Sequence, residues 1–313
     1  MCAKPVIVAD VDTGIDDSLA LTYLAHLHAR GEIELRVTTS AGNCTSAQAA
    51  CNSRYILDLC GVDIPVQAGA AQPVEVDLVT TPETHGPYGL GYAKVPDQYA
   101  LADSLASPPN AKAAVQSWGG ADGILLAGPA TNAAWAATYA PEILSTAQIC
   151  IMGGSFDHPG NTTATAEWNA WVDPHALALL CDTQTAMIIC GLNVTEHVEL
   201  YPDRLARWAT ALKQVGKQQL AAVLQDALRF YFEFHRDIAK LGYFAQIHDL
   251  AAAQILIGRV AYDVERTAVA VATAGELRGT TTTSSTGLPQ KVVRHFRPAD
   301  VFAEFERVVC AVP

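Results

Sequence analysis

The chain has 313 residues, of which 50% are apolar and 17% charged, so it can bury a large core and is not a disordered chain. Its formal net charge of −12 disfavours nucleic acid and anionic membranes as partners. No stretch approaches the roughly 18 uninterrupted apolar residues of a membrane span.

Residues 5–11 form an apolar, β-branched run that reads as a buried strand. Leu19, Ala20, Tyr23, Leu24 and Leu27 follow at helical spacing, which starts a helix near Asp16. A second strand is expected over 33–40, ending in Ala41-Gly42-Asn43. A helix over 46–59 follows, stopped by Gly61, and then a short strand over 65–68. Residues 72–110 are rich in proline and glycine and lack periodicity; long loops in compact domains often carry function. Alternation resumes with a strand at 124–127, a Gly128-Pro129-Ala130 turn and a helix over 132–139 that stops before Pro141. Next come a strand at 148–152 ending in Gly153-Gly154, a loop over 155–173, a helix over 174–181 and a strand over 186–190. Helices are expected over 202–215, 217–241 and from His248-Asp249 to 257. A strand over 267–273, a Thr/Ser-rich hairpin or loop over 279–287 and a helix over 298–309 complete the chain. Repeated strand–turn–helix units argue for a mostly parallel sheet flanked by helices, and no linker divides them. The immediate entry into a strand leaves no room for a leader segment, and the eight scattered cysteines contain no C-x-x-C pair, so reduced thiols and a cytoplasmic location are expected.

The first strand-to-helix turn carries Asp10, Asp12, Asp16 and Asp17, four carboxylates within eight residues. Ligands of open α/β sheets bind at this end of the strands. Like charges so close repel unless something positive sits among them. A helix amino terminus supplies part of that charge, and a hard divalent cation with oxygen ligands would supply far more. The plain alternative is a helix cap with solvated acids, although two aspartates would suffice for capping.

Asp10-Val11-Asp12-Thr13-Gly14-Ile15-Asp16-Asp17 resembles the D-x-D-P-G-x-D-D opening of the nucleoside N-ribohydrolases, with Thr13 in place of proline. The haloacid-dehalogenase phosphatases also follow their first strand with D-x-D. Further segments extend the first resemblance. Gly160-Asn161 through Glu167-Trp168-Asn169 matches G-N-x(5)-E-[FW]-N, and Val172-Asp173-Pro174 continues it. Gly128 to Asn132 matches G-P-L-T-N, and His85-Gly86 and His248-Asp249 match the H-G and H-D pairs. Asn43 matches the asparagine that ends the second strand. Gly191 to Thr195 resembles G-L-D-V-T, with Asn193 in place of aspartate. A phosphatase would want a downstream lysine and an acidic pair, whereas these strands end in Gly-Gly or Gly-Pro turns.

The resemblance implies an α/β fold with an open, mostly parallel, Rossmann-like sheet in a single domain spanning residues 1–313. It implies hydrolysis of the N-glycosidic bond of ribonucleosides to ribose and free base. A Ca2+ ion would be held by Asp12, Asp17, Asp249 and the backbone carbonyl of Ala127, with Asp10 orienting the loop. Asp12 would activate a calcium-bound water, and His248 and His85 are the candidate proton donors to the departing base. Asp16, Asn43, Asn161, Glu167 and Asn169 would grip the ribose hydroxyls, since amide and carboxylate groups match groups that both donate and accept. Trp168 would pack on sugar or base, and Phe232, His235 or Arg236 could wall the base. Purine-preferring members place tryptophans where this chain has His85 and His248, which resembles the pyrimidine-accepting or broad group. The expected partner is a small nucleoside, with no nucleic acid and no membrane, and the expected assembly is a homodimer or homotetramer. A non-catalytic nucleoside-binding protein of the same fold is the remaining alternative, but no ligand carboxylate is missing.

Overall fold

Successive side chains of a strand point to opposite faces of its sheet. In the first strand, Ile7, Ala9 and Val11 enter one buried cluster while Val8 enters another. A strand buried on both faces belongs at the centre of a helix-covered sheet. The computed structural model, which describes residues 4–100, 109–184 and 186–311, has this architecture.

The chain opens with β1 (Val6–Val11), α1 (Ile15–Ala29), β2 (Glu34–Thr39), α2 (Ser46–Cys60) and β3 (Val66–Ala68). Three short helices, α3 (Pro82–His85), α4 (Asp97–Ala100) and α5 (Ala111–Gln116), precede β4 (Gly123–Leu126). Then come α6 (Thr131–Tyr139), α7 (Pro141–Thr146), β5 (Gln148–Met152), α8 (Trp168–Val172), α9 (Pro174–Thr183) and β6 (Ile188–Cys190). The middle of the chain holds α10 (Leu192–Thr195), β7 (Glu199–Leu200), α11 (Pro202–Gln214), α12 (Gln218–Asp237), β8 (Ala245–Gln246) and α13 (Asp249–Leu256). Last are β9 (Tyr262–Val271), β10 (Thr281–Ser284), β11 (Pro289–Phe296) and α14 (Pro298–Phe305).

One nine-stranded sheet runs in the order β10-β9-β11-β6-β5-β4-β1-β2-β3, and β7 pairs with β8 in a small separate sheet. Strands β1 to β6 are parallel, and β11 joins β6 in parallel; β9 and β10 are antiparallel. The sheet thus collects strands from residue 6 to residue 296 into one α/β domain. The chain runs outward from β1 to β2 and β3, then returns to the other side of β1 with β4. The crevice at the carboxyl ends of β1 and β4 is therefore a topological switch point, where such sheets bind ligands.

Several elements differ from expectation for local reasons. Gly61 does end α2, in the left-handed conformation at φ +83°. Pro141 stops one helix but also starts α7 at its first turn, where a missing N–H costs nothing. Helix α12 ends at Asp237 instead of 241. The late strand begins at Tyr262, five residues before the expected start, and β11 is a strand that the sequence did not suggest. The 279–287 stretch, expected as a hairpin or loop, holds β10, which is the second arm of a hairpin with β9, and the loop that leads on to β11. Among the described residues no helix is long and apolar enough to cross a membrane.

Packing remote from the sheet's carboxyl end is represented by Trp208 of α11. It is fully buried against Phe305 and Phe302, and its Nε1 donates to Glu306 at 2.9 Å. Trp208→Ala should lower stability by about 3–5 kcal/mol through the cavity that the lost indole leaves. The urea midpoint measures this, and a shift worth less than about 1 kcal/mol would contradict the packing.

Candidate active site

The turn after β1 buries every one of its acids. Asp10, Asp12, Asp16 and Asp17 are at most 4% exposed, and Asp249, at the start of α13, is 3% exposed. Asp10 faces inward along the sheet: one oxygen accepts from Thr38 Oγ1 at 2.7 Å and from Asn132 Nδ2 at 2.9 Å. Asn132 also donates to Thr39 O and accepts from Ala70 N, so Asp10 ties β1, β2 and α6 together. Asp12 sits beneath Asn43, whose backbone N–H reaches Oδ2 at 2.7 Å and whose Nδ2 reaches Oδ1 at 3.0 Å. Asp17 accepts from the Gly14 N–H at 2.8 Å and from Asn43 Nδ2 at 3.3 Å through Oδ2, while its buried Oδ1 has no partner.

One carboxylate oxygen from each of Asp16, Asp17 and Asp249 lies within 4.8 Å of the others. The expected set had Asp12 in place of Asp16. Asp12 adjoins this trio, but its oxygens are already engaged by Asn43. Burial pushes the Asp17 carboxyl up to about 8, with Asp16 adding repulsion, and pushes Asp16 up to about 6. Asp12 and Asp249 are raised well above the usual carboxylate range, first by burial and then by their neighbouring aspartates. No lysine or arginine among the described residues lines the cavity beside them. Oxygen donors, an orphaned buried carboxylate oxygen and unrelieved like charge together suit a hard divalent cation.

The cavity is about 790 Å³ and combines Asp16 and Asp249 with walls from distant parts of the chain. Ala127, just past β4, lines it, and its carbonyl accepts from Asn169 Nδ2 at 2.9 Å. Asn169 Nδ2 also donates to Met152 O, and its buried Oδ1 has no protein partner, leaving an acceptor free for a ligand hydroxyl. Glu167 is 2% exposed and caps α8. It accepts from Asn169 N, Ala170 N and Gly154 N, and burial still raises its carboxyl to about 7. Asn161 is exposed at the rim and accepts from Trp168 N. Trp168 lines the cavity and stacks on Trp171 with ring centroids 5.7 Å apart.

Both expected histidines are present and buried. The Ile15 N–H donates to His85 Nδ1 at 3.0 Å, so the proton of the neutral ring is on Nε2. His248 Nδ1 pairs with Thr195 Oγ1 at 2.9 Å, and its backbone N–H donates to Asp16. Burial lowers both imidazoles to about 3, and nearby histidines add to the effect. Of the three candidates on α12 only His235 lines the cavity, joined by Tyr231 and Phe234. Phe232 packs against Tyr243, and Arg236 pairs with Asp237. Tyr231, Phe234 and His235 are spaced i, i+3, i+4, the one signal that could have singled them out. His158, Glu196 and Gln246 also line the cavity and were not anticipated.

Both departures from the motifs have local roles. Thr13 Oγ1 pairs with Ser53 Oγ at 2.6 Å, fastening the turn to α2. Asn193 donates to Val293 O in β11 and does not line the cavity.

The sequence profile of the family "Inosine-uridine preferring nucleoside hydrolase" matches residues 7–303. The chain belongs to that family. It is an enzyme of the ribonucleoside hydrolase class, in a family of metal-dependent enzymes. The pyrimidine-specific ribonucleoside hydrolase RihA of Shewanella woodyi is 30% identical over 276 residues, covering 87% of this chain and 85% of that protein. Its counterpart from Salmonella paratyphi C is 32% identical over 252 residues, covering 79% and 77%. Among solved structures, a plant nucleoside hydrolase superposes with a TM-score of 0.83 at 26% identity, covering 99% of this chain and 100% of that one. A purine-preferring ribonucleoside hydrolase from Gardnerella vaginalis also reaches 0.83, at 25% identity with 97% and 98% covered.

In this hydrolase, glycines make the cradle for Asp12. A Cβ at Gly42 would overlap Asp12 Oδ2 and stand 2.7 Å from Pro129 Cδ, and one at Gly128 would stand 3.0 Å from Asp12 Cβ. Gly42→Ala should therefore displace the carboxylate and cut kcat/KM by about 10²-fold, as small misplacements at a reacting centre do. Steady-state kinetics on protein with unchanged circular dichroism checks this. Wild-type rates would show that Asp12 tolerates the shift.

Proposed function

We propose that this hydrolase cleaves the N-glycosidic bond of pyrimidine ribonucleosides, or of a broad range of ribonucleosides, using calcium. The observation that carries the reading is the buried cluster of Asp12, Asp16, Asp17 and Asp249, of which Asp16 and Asp249 line a nucleoside-sized cavity with no lysine or arginine among its described lining residues. Asp12, Asp17, Asp249 and the carbonyl of Ala127 would hold the calcium ion, which supplies charge to offset the acids and makes water a better nucleophile at neutral pH.

The chain's own groups account for the rest. Asp16, Asn43, Asn161, Glu167 and Asn169 bind the ribose hydroxyls, with the free Asn169 Oδ1 as one acceptor. Breaking the C1′–N bond builds an oxocarbenium-like cation, and the fixed carboxylates stabilise that charge as it develops. Asp12 takes the proton of the attacking water. His248 or His85 is the candidate acid for the departing base: as imidazolium it gives the proton and is left as neutral imidazole, whereas the neutral ring steadies the departing anion by a hydrogen bond from its N–H. Tyr231, Phe234, His235 and Trp168 provide apolar and aromatic walls for the base and sugar. The histidines at positions 85 and 248 and the pyrimidine-specific names of the 30–32% identical relatives support pyrimidine acceptance. The same reading includes a homodimer or homotetramer, which sedimentation would measure. A cytoplasmic location accords with seven free cysteines among the described residues, six of them buried.

Reducing-sugar release from uridine, cytidine, inosine and adenosine tests substrate and metal together. Calcium-loaded enzyme should release ribose from uridine and cytidine at least as fast as from the purines. Chelation should abolish release without unfolding the protein, and added calcium should restore it and raise the thermal midpoint. Full activity in protein shown by elemental analysis to be metal-free would overturn the metal assignment, and no ribose release from any of the four would overturn the function.

The proton donor is separable by leaving group. His248→Ala should lose roughly 10²–10⁴-fold on uridine, whose base departs poorly as an anion, and little on a p-nitrophenyl riboside. A ratio of the two losses near one would remove His248 from the acid role, and His85→Ala measured beside it reports on the other candidate.

A further inference from the structure

The Thr/Ser-rich hairpin, to which the sequence lends no chemistry, lies against the segment that carries the sugar-binding residues. Thr281, the first residue of β10, is 3% exposed. Its hydroxyl accepts from the Ser155 N–H at 2.8 Å and pairs with the Ser155 carbonyl at 3.0 Å, so one side chain takes both backbone groups of Ser155. The preceding residue, Gly154, has φ +79°, and its N–H donates to Glu167 Oε2 at 2.9 Å. On the other side of this turn, Gly154 O accepts from Leu192 N and Gly153 N donates to Cys190 O. The turn that holds Glu167 is thus clamped from the sheet interior on one side and by Thr281 on the other.

The contact continues along the hairpin. Thr280 forms an antiparallel bridge with Ala166, and its hydroxyl pairs with Thr165 at 2.6 Å. Arg278 donates to the carbonyls of Trp171 and Val172, at the end of α8, and its guanidinium lies 4.1 Å from the Trp171 ring centroid. Trp171 in turn stacks on Trp168 in the cavity wall. The backbones meet at Gly279, where a Cβ would stand 2.8 Å from Trp171 N. Residues 278–281 therefore brace both ends of the 154–172 segment, which includes Asn161, Glu167, Trp168 and Asn169.

We propose that Thr281 and Arg278 are positioning residues for ribose binding: Thr281 sets the Gly154–Ser155 turn that aims Glu167, and Arg278 caps α8 and backs Trp168 through Trp171. This rests on the reading of Glu167 as a ribose ligand. Thr281→Val keeps the shape and removes both hydrogen bonds. In full-length, calcium-loaded enzyme it should raise KM for uridine about tenfold, the size expected for one or two lost hydrogen bonds, with kcat changed less. Thr281→Ser, which keeps the hydroxyl, should restore KM to within about twofold of wild type. In a Glu167→Gln background, Thr281→Val should add no more than about twofold, because residues acting through one another are not additive. Arg278→Met, on a more exposed side chain, is the second variant should Thr281→Val fold poorly, and it should also raise KM. A lowered thermal midpoint with unaltered KM in the folded variants, or fully additive losses with Glu167→Gln, would reduce these residues to structural supports. Unaltered KM in Glu167→Gln itself would remove Glu167 from ribose binding, and with it the ground for this inference.

Discussion

Buried like charge is the constraint around which this enzyme is arranged. Isolated carboxylates out of water are costly, and four of them at the end of β1 with Asp249 beside them repel one another as well. The protein side of the compensation is a set of oriented N–H groups. Asn43 gives Asp12 two hydrogen bonds and Asp17 a third, and Gly14 gives Asp17 another. These bonds fix the directions of the Asp12 and Asp17 carboxylates without neutralising them. The arrangement therefore retains negative potential facing the cavity, which is what a cation and a developing glycosyl cation both require.

The sheet makes that arrangement possible. Asp10 is spent on architecture, tying Thr38 and Asn132 across neighbouring elements. Beyond it the chain is free to splay at the switch point, and the site is assembled from residues far apart in sequence: the β1 turn, Asn43 after β2, Ala127 after β4 and Asp249 at the start of α13. Asn169 then reaches back to the carbonyls of Ala127 and Met152, joining the α8 side of the cavity to the ends of β4 and β5.

The sequence made local features legible and left non-local ones hidden. The β1–turn–α1 unit could be read because strand period, helix period and acids lie within some twenty residues. The cavity-facing side of α12 was only partly read: its aromatic run is evident, but Phe232 faces the core while Tyr231, Phe234 and His235 face the site, a distinction that depends on what packs on each side. Helix α8 has no signature in the sequence, which reads as loop there, because it is five residues long and is stabilised by Glu167, a residue more readily read as a ligand than as a cap. Strand β11 was missed because Lys291, Arg294 and His295 interrupt its apolar residues, and its place beside β6 comes from pairing rather than composition. The Thr281–Ser155 clamp joins residues 126 apart and has no signature in either neighbourhood.

The tautomer of His85 limits what its ring can tell the enzyme about a base. With Nδ1 committed to the Ile15 N–H, the neutral ring offers one donor, Nε2–H, and no acceptor. Uracil and cytosine both carry the O2 carbonyl as an acceptor, and purines carry ring nitrogens that accept as well. A single fixed donor satisfies any of them and rejects none. Whatever discrimination this hydrolase exercises among bases must then come from groups that can present an acceptor or a boundary of defined shape. Among the lining residues of this cavity, Glu196 and Gln246 carry acceptors and the aromatic face of α12 supplies such a boundary.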